Sequence, residues 1–178
     1  MNISEKAERY RGLIIHATIT MEKAMDTYIS NYFCSDKTKT QEMHYLFLGD
    51  NRINLENKRQ IFIWLAKNHD QDLLKKYVSI RGEMNKNNSL DKDMIFVIEQ
   101  RNIFAHLLVD VYKSEDDILH FVKFKNSRKT FGFTDIDFLQ LQQVITDISV
   151  LIFGRLNWLT DSLGSPLLDM DGDFLPLD

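Results

Sequence analysis

Prolines stand at two positions, Pro166 and Pro176, so residues 1–165 are free of the strongest helix breaker. That favours a mainly helical architecture. With 178 residues the chain can bury a proper core without disulfide or metal staples. The expected organisation is one helical domain over residues 1–160 and an acidic, loosely ordered tail over 161–178. The composition, 44% hydrophobic and 27% charged, is that of an ordinary soluble globule.

Cys34 is the one cysteine, which excludes an intrachain disulfide and suits a reducing compartment; it reads as a buried apolar residue. The start, Met1 to Tyr10, is charged and lacks the apolar run of a signal peptide. No membrane span is expected, because the apolar run Val150–Phe153 is soon interrupted by Arg155. A cytoplasmic location is the resulting expectation. A formal net charge of −4 gives no global attraction for nucleic acid, so binding RNA needs a local basic patch or a groove built by dimerisation.

Helical spacing of Leu13, Ala17, Met21, Ala24, Tyr28 and Tyr32 predicts a first helix over about Ser4 to Phe33, with Ser4 as cap. Glu22 and Lys23 fall elsewhere on the wheel and read as solvated. Ser35 to Gln41 reads as a loop and Met43 to Leu48 as a short helix or turn. A second helix is expected over Leu55–Asn68, capped by Asn54, with Ile61, Phe62 and Leu65 inward. A third covers Gln71–Met84, ended by the polar stretch Asn85–Ser89. Asp91 opens a fourth, running to about His106.

The period then changes. Leu108–Tyr112 and Ile118–Phe124 are rich in β-branched and aromatic residues and predict a β-hairpin joined by Lys113–Asp117. Thr134 or Asp135 caps a last helix to about Leu159, with Phe138, Leu141, Val144, Ile145, Ile148, Leu151 and Ile152 on its core face. Asp169-Met-Asp-Gly-Asp173 matches the opening of a calcium loop, but its closing Glu is not reached, and it reads as part of the acidic tail.

The chemistry-bearing stretch is Glu99-Gln-Arg-Asn-Ile-Phe-Ala-His106, flanked by the apolar runs Met94–Ile98 and Leu107–Val109. At about 100° per residue, Glu99, Asn102 and His106 fall at i, i+3 and i+7 and form one polar stripe. Arg101 lies off that stripe, with a side chain long enough to swing back. An arginine, an amide and an imidazole around one point suit a phosphate. The alternative is structural: Arg101 pairs with Glu99 or a neighbouring helix, and His106 caps the helix end. Lys123, Lys125, Arg128 and Lys129 make a basic hairpin end with two readings, a solvated edge or a phosphate-binding lip for RNA. His16, His44, His69 and His120 show no metal-ligand spacing, and no Ser or Cys has an activating neighbour in sequence. No metal and no cofactor is expected.

Arg101-Asn-Ile-Phe-Ala-His106 resembles the Arg-x4-6-His motif of HEPN domains, in which a polar residue often follows the arginine and Ala-His often closes the motif. Glu22 in the first helix, the Lys58-x-x-x-Phe62 helix, and a hairpin leading into a long last helix agree with it. The resemblance spans about residues 4–160, though only the six-residue motif is specific. It implies a helical bundle with a small β-hairpin inserted before the last long helix. It also implies a homodimer that brings two motifs into one cleft, and metal-independent endoribonuclease activity in a toxin–antitoxin or phage-defence role. Under it, His106 is general acid or base, Arg101 stabilises phosphorane charge and Asn102 orients phosphate or imidazole; Glu99 is added, from the stripe, as an orienter. An antitoxin protein is then a possible partner. Leu108 stands where some toxins of the family carry a tyrosine, and Leu107 where a small residue is common. A non-catalytic helical interaction module is the competing expectation.

Overall fold

The computed structural model describes residues 2–49, 53–81, 89–125 and 127–163, apart from the side chains of residues 124, 125, 127, 128 and 157–163. The chain is mainly helical, with a small antiparallel sheet before the last long helix. In order, the elements are α1 (Ile3–Phe33), α2 (Lys37–Met43) continued by one π-helical turn (His44–Leu48), α3 (Leu55–His69), α4 (Gln71–Arg81) and α5 (Leu90–His106). Then follow β1 (Leu108–Val109), β2 (Ile118–Lys125), β3 (Ser127–Thr134) and α6 (Asp135–Leu163). The expected break over residues 85–88, the end of the third helix at Met84, and the tail from 164 with Asp169–Asp173 lie outside the described residues.

Helix starts follow local capping chemistry. Asn54 Oδ1 accepts from Asn57 N at 2.9 Å, as its position before α3 implied. Thr134 and Asp137 cap α6 reciprocally: Asp137 N donates to Thr134 Oγ1 and Thr134 N to Asp137 Oδ2. Ser89 rather than Asp91 caps α5, accepting from Lys92 N. The stretch read as a loop, Ser35–Gln41, is largely helical from Lys37 because Asp36 Oδ1 accepts from Lys39 N. Cys34, expected buried, is partly exposed.

The chain divides into two compact units, and parts of α1, α5 and α6 belong to each. The unit of residues 1–19 and 95–146 holds the sheet. Its strands run in the order β1-β2-β3, with Leu108 opposite Val122 and, across β2–β3, Leu119 opposite Phe133 and Phe121 opposite Phe131. The sheet differs from the expected hairpin at two points. The strand read over Leu108–Tyr112 stops at Val109, because Asp110 turns the chain: Ser114 N donates back to Asp110 O, and Tyr112 is fully solvent-exposed. The second partner of β2 is β3, whose Arg-Lys-Thr opening lacks apolar alternation. Phe104, Phe121, Phe133, Phe138 and Leu141 make this unit's core. Tyr10 stacks on Phe138 at 3.7 Å and donates to Asp135 Oδ1 at 2.7 Å, and buried Lys6 pairs with the same carboxylate. Asp135–Leu156 is by length and composition able to cross a membrane, yet Phe138, Leu141 and Ile145 on it are buried core residues.

The unit of residues 20–94 and 147–178 packs Met21, Met25, Phe62, Leu65, Tyr77 and Ile148. Of the residues assigned to the inward face of α1, Met21, Ala24 and Tyr28 are buried, but Tyr32 is 43% exposed, as is Leu13 at 40% in the other unit. Ile63, not Ile61, joins Phe62 and Leu65 in the core. Buried charge is paired: Arg155 takes Asp70 bidentately at 2.7 and 2.9 Å, and Tyr28 donates to the same carboxylate. Arg81 meets both Asp93 and Asp147. Glu22, read as solvated, instead accepts from buried Lys58 at 2.6 Å, beside Asp26 at 2.8 Å.

The Glu22–Lys58–Asp26 triad generates two expectations. Lys58→Met strands Asp26 and Glu22 without their cation and lowers stability by about 3–5 kcal/mol, read by denaturant unfolding. Asp26 Oδ1 is buried without a hydrogen-bond partner among the described residues, and burial pushes the carboxyl up to about 7 although Lys58 pulls the other way. A raised folded pKa means that the native state holds the proton longer than the unfolded chain. Its contribution is full below the ordinary carboxylate range and is lost as pH rises to about 7. Asp26→Asn is therefore expected to flatten a decline in melting temperature over that window.

Candidate functional site

The motif helix α5 has two working faces. Val97 and Phe104 are buried, with Arg101 between them on the same side and half-buried. Phe104 is fixed by edge-on contacts to Phe121 at 4.9 Å and Phe133 at 4.8 Å, so the sheet sets the rotation of the helix. The opposite face carries Glu99, Asn102 and His106, all exposed, as the periodicity requires.

That face forms one wall of a groove of about 950 Å³. Glu99, Asn102 and His106 line it from α5, Lys123 and Phe131 from the sheet, and Gln140 from α6. Three of the four motif residues singled out from the sequence are thus brought to one cavity, together with one lysine of the basic hairpin. Arg101 is not in its lining. The guanidinium instead donates from Nη1 to Asn102 Oδ1 at 3.2 Å, which leaves Asn102 Nδ2 as a donor. Glu99 makes no hydrogen bond to Arg101 or His106, a full two turns lying between it and the imidazole. Lys129 is exposed and pairs in register with Lys123; the side chains of Lys125 and Arg128 lie outside the described residues.

The helix end that holds His106 is organised by a residue the sequence did not single out. Arg11 of α1 donates from Nε to Phe104 O at 2.6 Å and from Nη2 to Leu107 O at 3.0 Å. The last carbonyls of a helix have no partner within it, and here a forked cation supplies donors and complements the negative end of the helix dipole. Neither structural role considered for the motif is observed among the described residues: Arg101 makes no ion pair, and the His106 imidazole makes no hydrogen bond. Nothing in the spacing around Arg11 marks it, since its partners lie 93 and 96 residues away.

No group of three or more His, Cys, Asp or Glu among the described residues is placed to hold a metal ion. The arrangement can bind an anion between Lys123, His106 and the Asn102 amide. With an imidazole open to solvent, it can also give or take a proton.

Arg11→Ala leaves two helix-terminal carbonyls without donors and is expected to lower stability by about 1–3 kcal/mol. Amide exchange at residues 105–108 should quicken more than elsewhere; Arg11→Lys, a cation without the fork, should fall between the two. The chain matches no protein-family model, no curated protein and no solved structure.

Proposed function

We propose that this chain is a metal-independent endoribonuclease of HEPN type, acting in a toxin–antitoxin or phage-defence setting. The observation that carries the reading is the state of the motif. His106 and Asn102 open into one groove with Lys123, Arg101 is attached to Asn102, and neither Arg101 nor His106 is consumed by an ion pair among the described residues. Structural use of an Arg and a His would leave them paired.

His106 takes the proton of a ribose 2′-OH as that oxygen attacks the adjacent phosphorus. The P–O5′ bond breaks, the imidazolium so formed returns that proton to the leaving O5′, and a 2′,3′-cyclic phosphate remains on the other fragment. Asn102 Nδ2 and Lys123 hold the non-bridging oxygens, and Arg101 stabilises the charge of the phosphorane. Arg101 stands outside the groove lining, so a second copy of the chain, joined as a homodimer, is the proposed means of completing the site. An antitoxin protein is the proposed physiological partner.

A second reading has its own observation. Leu108, Tyr112, Ile136 and Leu139 are large apolar side chains left exposed, which suits a non-catalytic module that binds a protein partner.

Incubating wild type, Arg101→Ala and His106→Ala with a structured RNA in EDTA separates the two. Cleavage leaving 2′,3′-cyclic ends by wild type, slowed about 10²–10⁴-fold in His106→Ala, is the expected result. A wild type that forms a stable dimer but cleaves nothing gives the interaction-module reading instead.

A further inference from the structure

We propose that the β2–β3 ribbon supplies a nucleotide subsite beside His106, in which Phe131 carries an unpaired base and Lys123 with Lys129 seats its phosphate. The inference rests on the ribonuclease reading for its ligand, RNA, and on the β2–β3 ribbon, which shares Lys123 with that reading and adds Phe131 and Lys129. Along the ribbon, residues paired in register share a face of the sheet. On the face toward α5 the pairs run Leu119 with Phe133, Phe121 with Phe131, then Lys123 with Lys129. The first pair is buried. In the second, Phe121 is buried while Phe131 is half-exposed, and both lysines of the third are exposed. The same face therefore leaves the core as an aromatic platform and ends as a pair of cations.

Each step has a chemical consequence. Like charges placed directly opposite on neighbouring strands repel, and an anion held between them reverses the sign of that term. A partly exposed phenylalanine in the lining of the groove is able to stack on a planar ring. Phe96, 38% exposed on α5, lines the same groove. Gln100 and Gln140 line it too, and each amide carries a donor and an acceptor able to meet the edge of a base. Of the two carboxylates in the lining, Asp137 is committed to capping α6 through Thr134. Glu99 remains, on α5 rather than on the ribbon. Aromatic stacking beside a cationic track is how unpaired strands are held, whereas a duplex hides its base faces.

The test uses the full chain carrying His106→Ala, so that binding is read without cleavage. The probes are a short fluorescein-labelled single-stranded RNA of mixed sequence and the same RNA annealed to its complement, followed by anisotropy. The single strand is expected to bind more tightly than the duplex. Phe131→Ala should weaken it by roughly tenfold or more, the loss of one stacked base, with Phe131→Tyr close to the parent. Lys123→Ala, at an exposed position that does not threaten folding, should weaken binding and reduce its salt dependence. Equal binding by Phe131→Ala, Lys123→Ala and the parent, or equal affinity for duplex and single strand, overturns the subsite. The two readings fail separately. A chain that cleaves RNA as fast with Phe131→Ala or Lys129→Ala as without them loses the subsite and keeps the ribonuclease. Binding that depends on Phe131 in a chain that never cleaves keeps the subsite and loses the ribonuclease.

Discussion

The carbonyls at the end of α5 need donors, and the groove depends on where those donors come from. A helix that passes into a strand within two residues has little room to satisfy its last turn by local chain geometry. Arg11 supplies both bonds from α1, at Phe104 O and Leu107 O, on either side of His106. A planar fork reaching two carbonyls fixes the helix end more tightly than a single point charge does. With that end held and Phe104 seated between Phe121 and Phe133, the direction in which His106 points is settled by packing. The His106 imidazole contributes nothing to its own placement through hydrogen bonds among the described residues.

Buried charge in the other unit is handled differently. Lys58 serves two carboxylates, Arg155 binds Asp70 with two bonds while Tyr28 adds a third, and Arg81 meets Asp93 and Asp147. Such pairs are weak sources of net stability, since desolvation offsets most of their attraction, but each is strongly unfavourable to break. Asp26 shows how close the compensation runs: one carboxylate oxygen is left without a partner, and burial outweighs the lysine beside it.

The groove combines groups able to hold an anion with groups able to hold a flat ring. Lys123, His106 and Asn102 belong to the first class, Phe131 and Phe96 to the second. A site for a small metabolite anion has little use for partly exposed aromatic rings, and a purely hydrophobic docking groove little use for a lysine, an imidazole and an amide. A polyanion made of aromatic units uses both, which is why RNA is the proposed ligand.

Proline distribution, helical periodicity and cap residues determined α1, α3, α5 and α6 to within a few residues, because those signals are local and act through hydrogen bonds to the nearest backbone groups; α2, expected as a loop, was not determined. The polar stripe Glu99, Asn102, His106 was legible for the same reason, as three residues per helix face is a property of the helix alone. Strand β3 was not. Its opening residues lack apolar alternation, and pairing with β2 supplies the order instead. Glu22 has its partner Lys58 36 residues away, and Arg11 has partners more distant still, so local spacing marks neither role. Which stripe residues share a cavity with Lys123 and Phe131, and that Arg101 stands outside it, was decided only by the tertiary structure. Periodicity assigns a side chain to a face, while the neighbour that face meets depends on long-range packing, which no local spacing encodes.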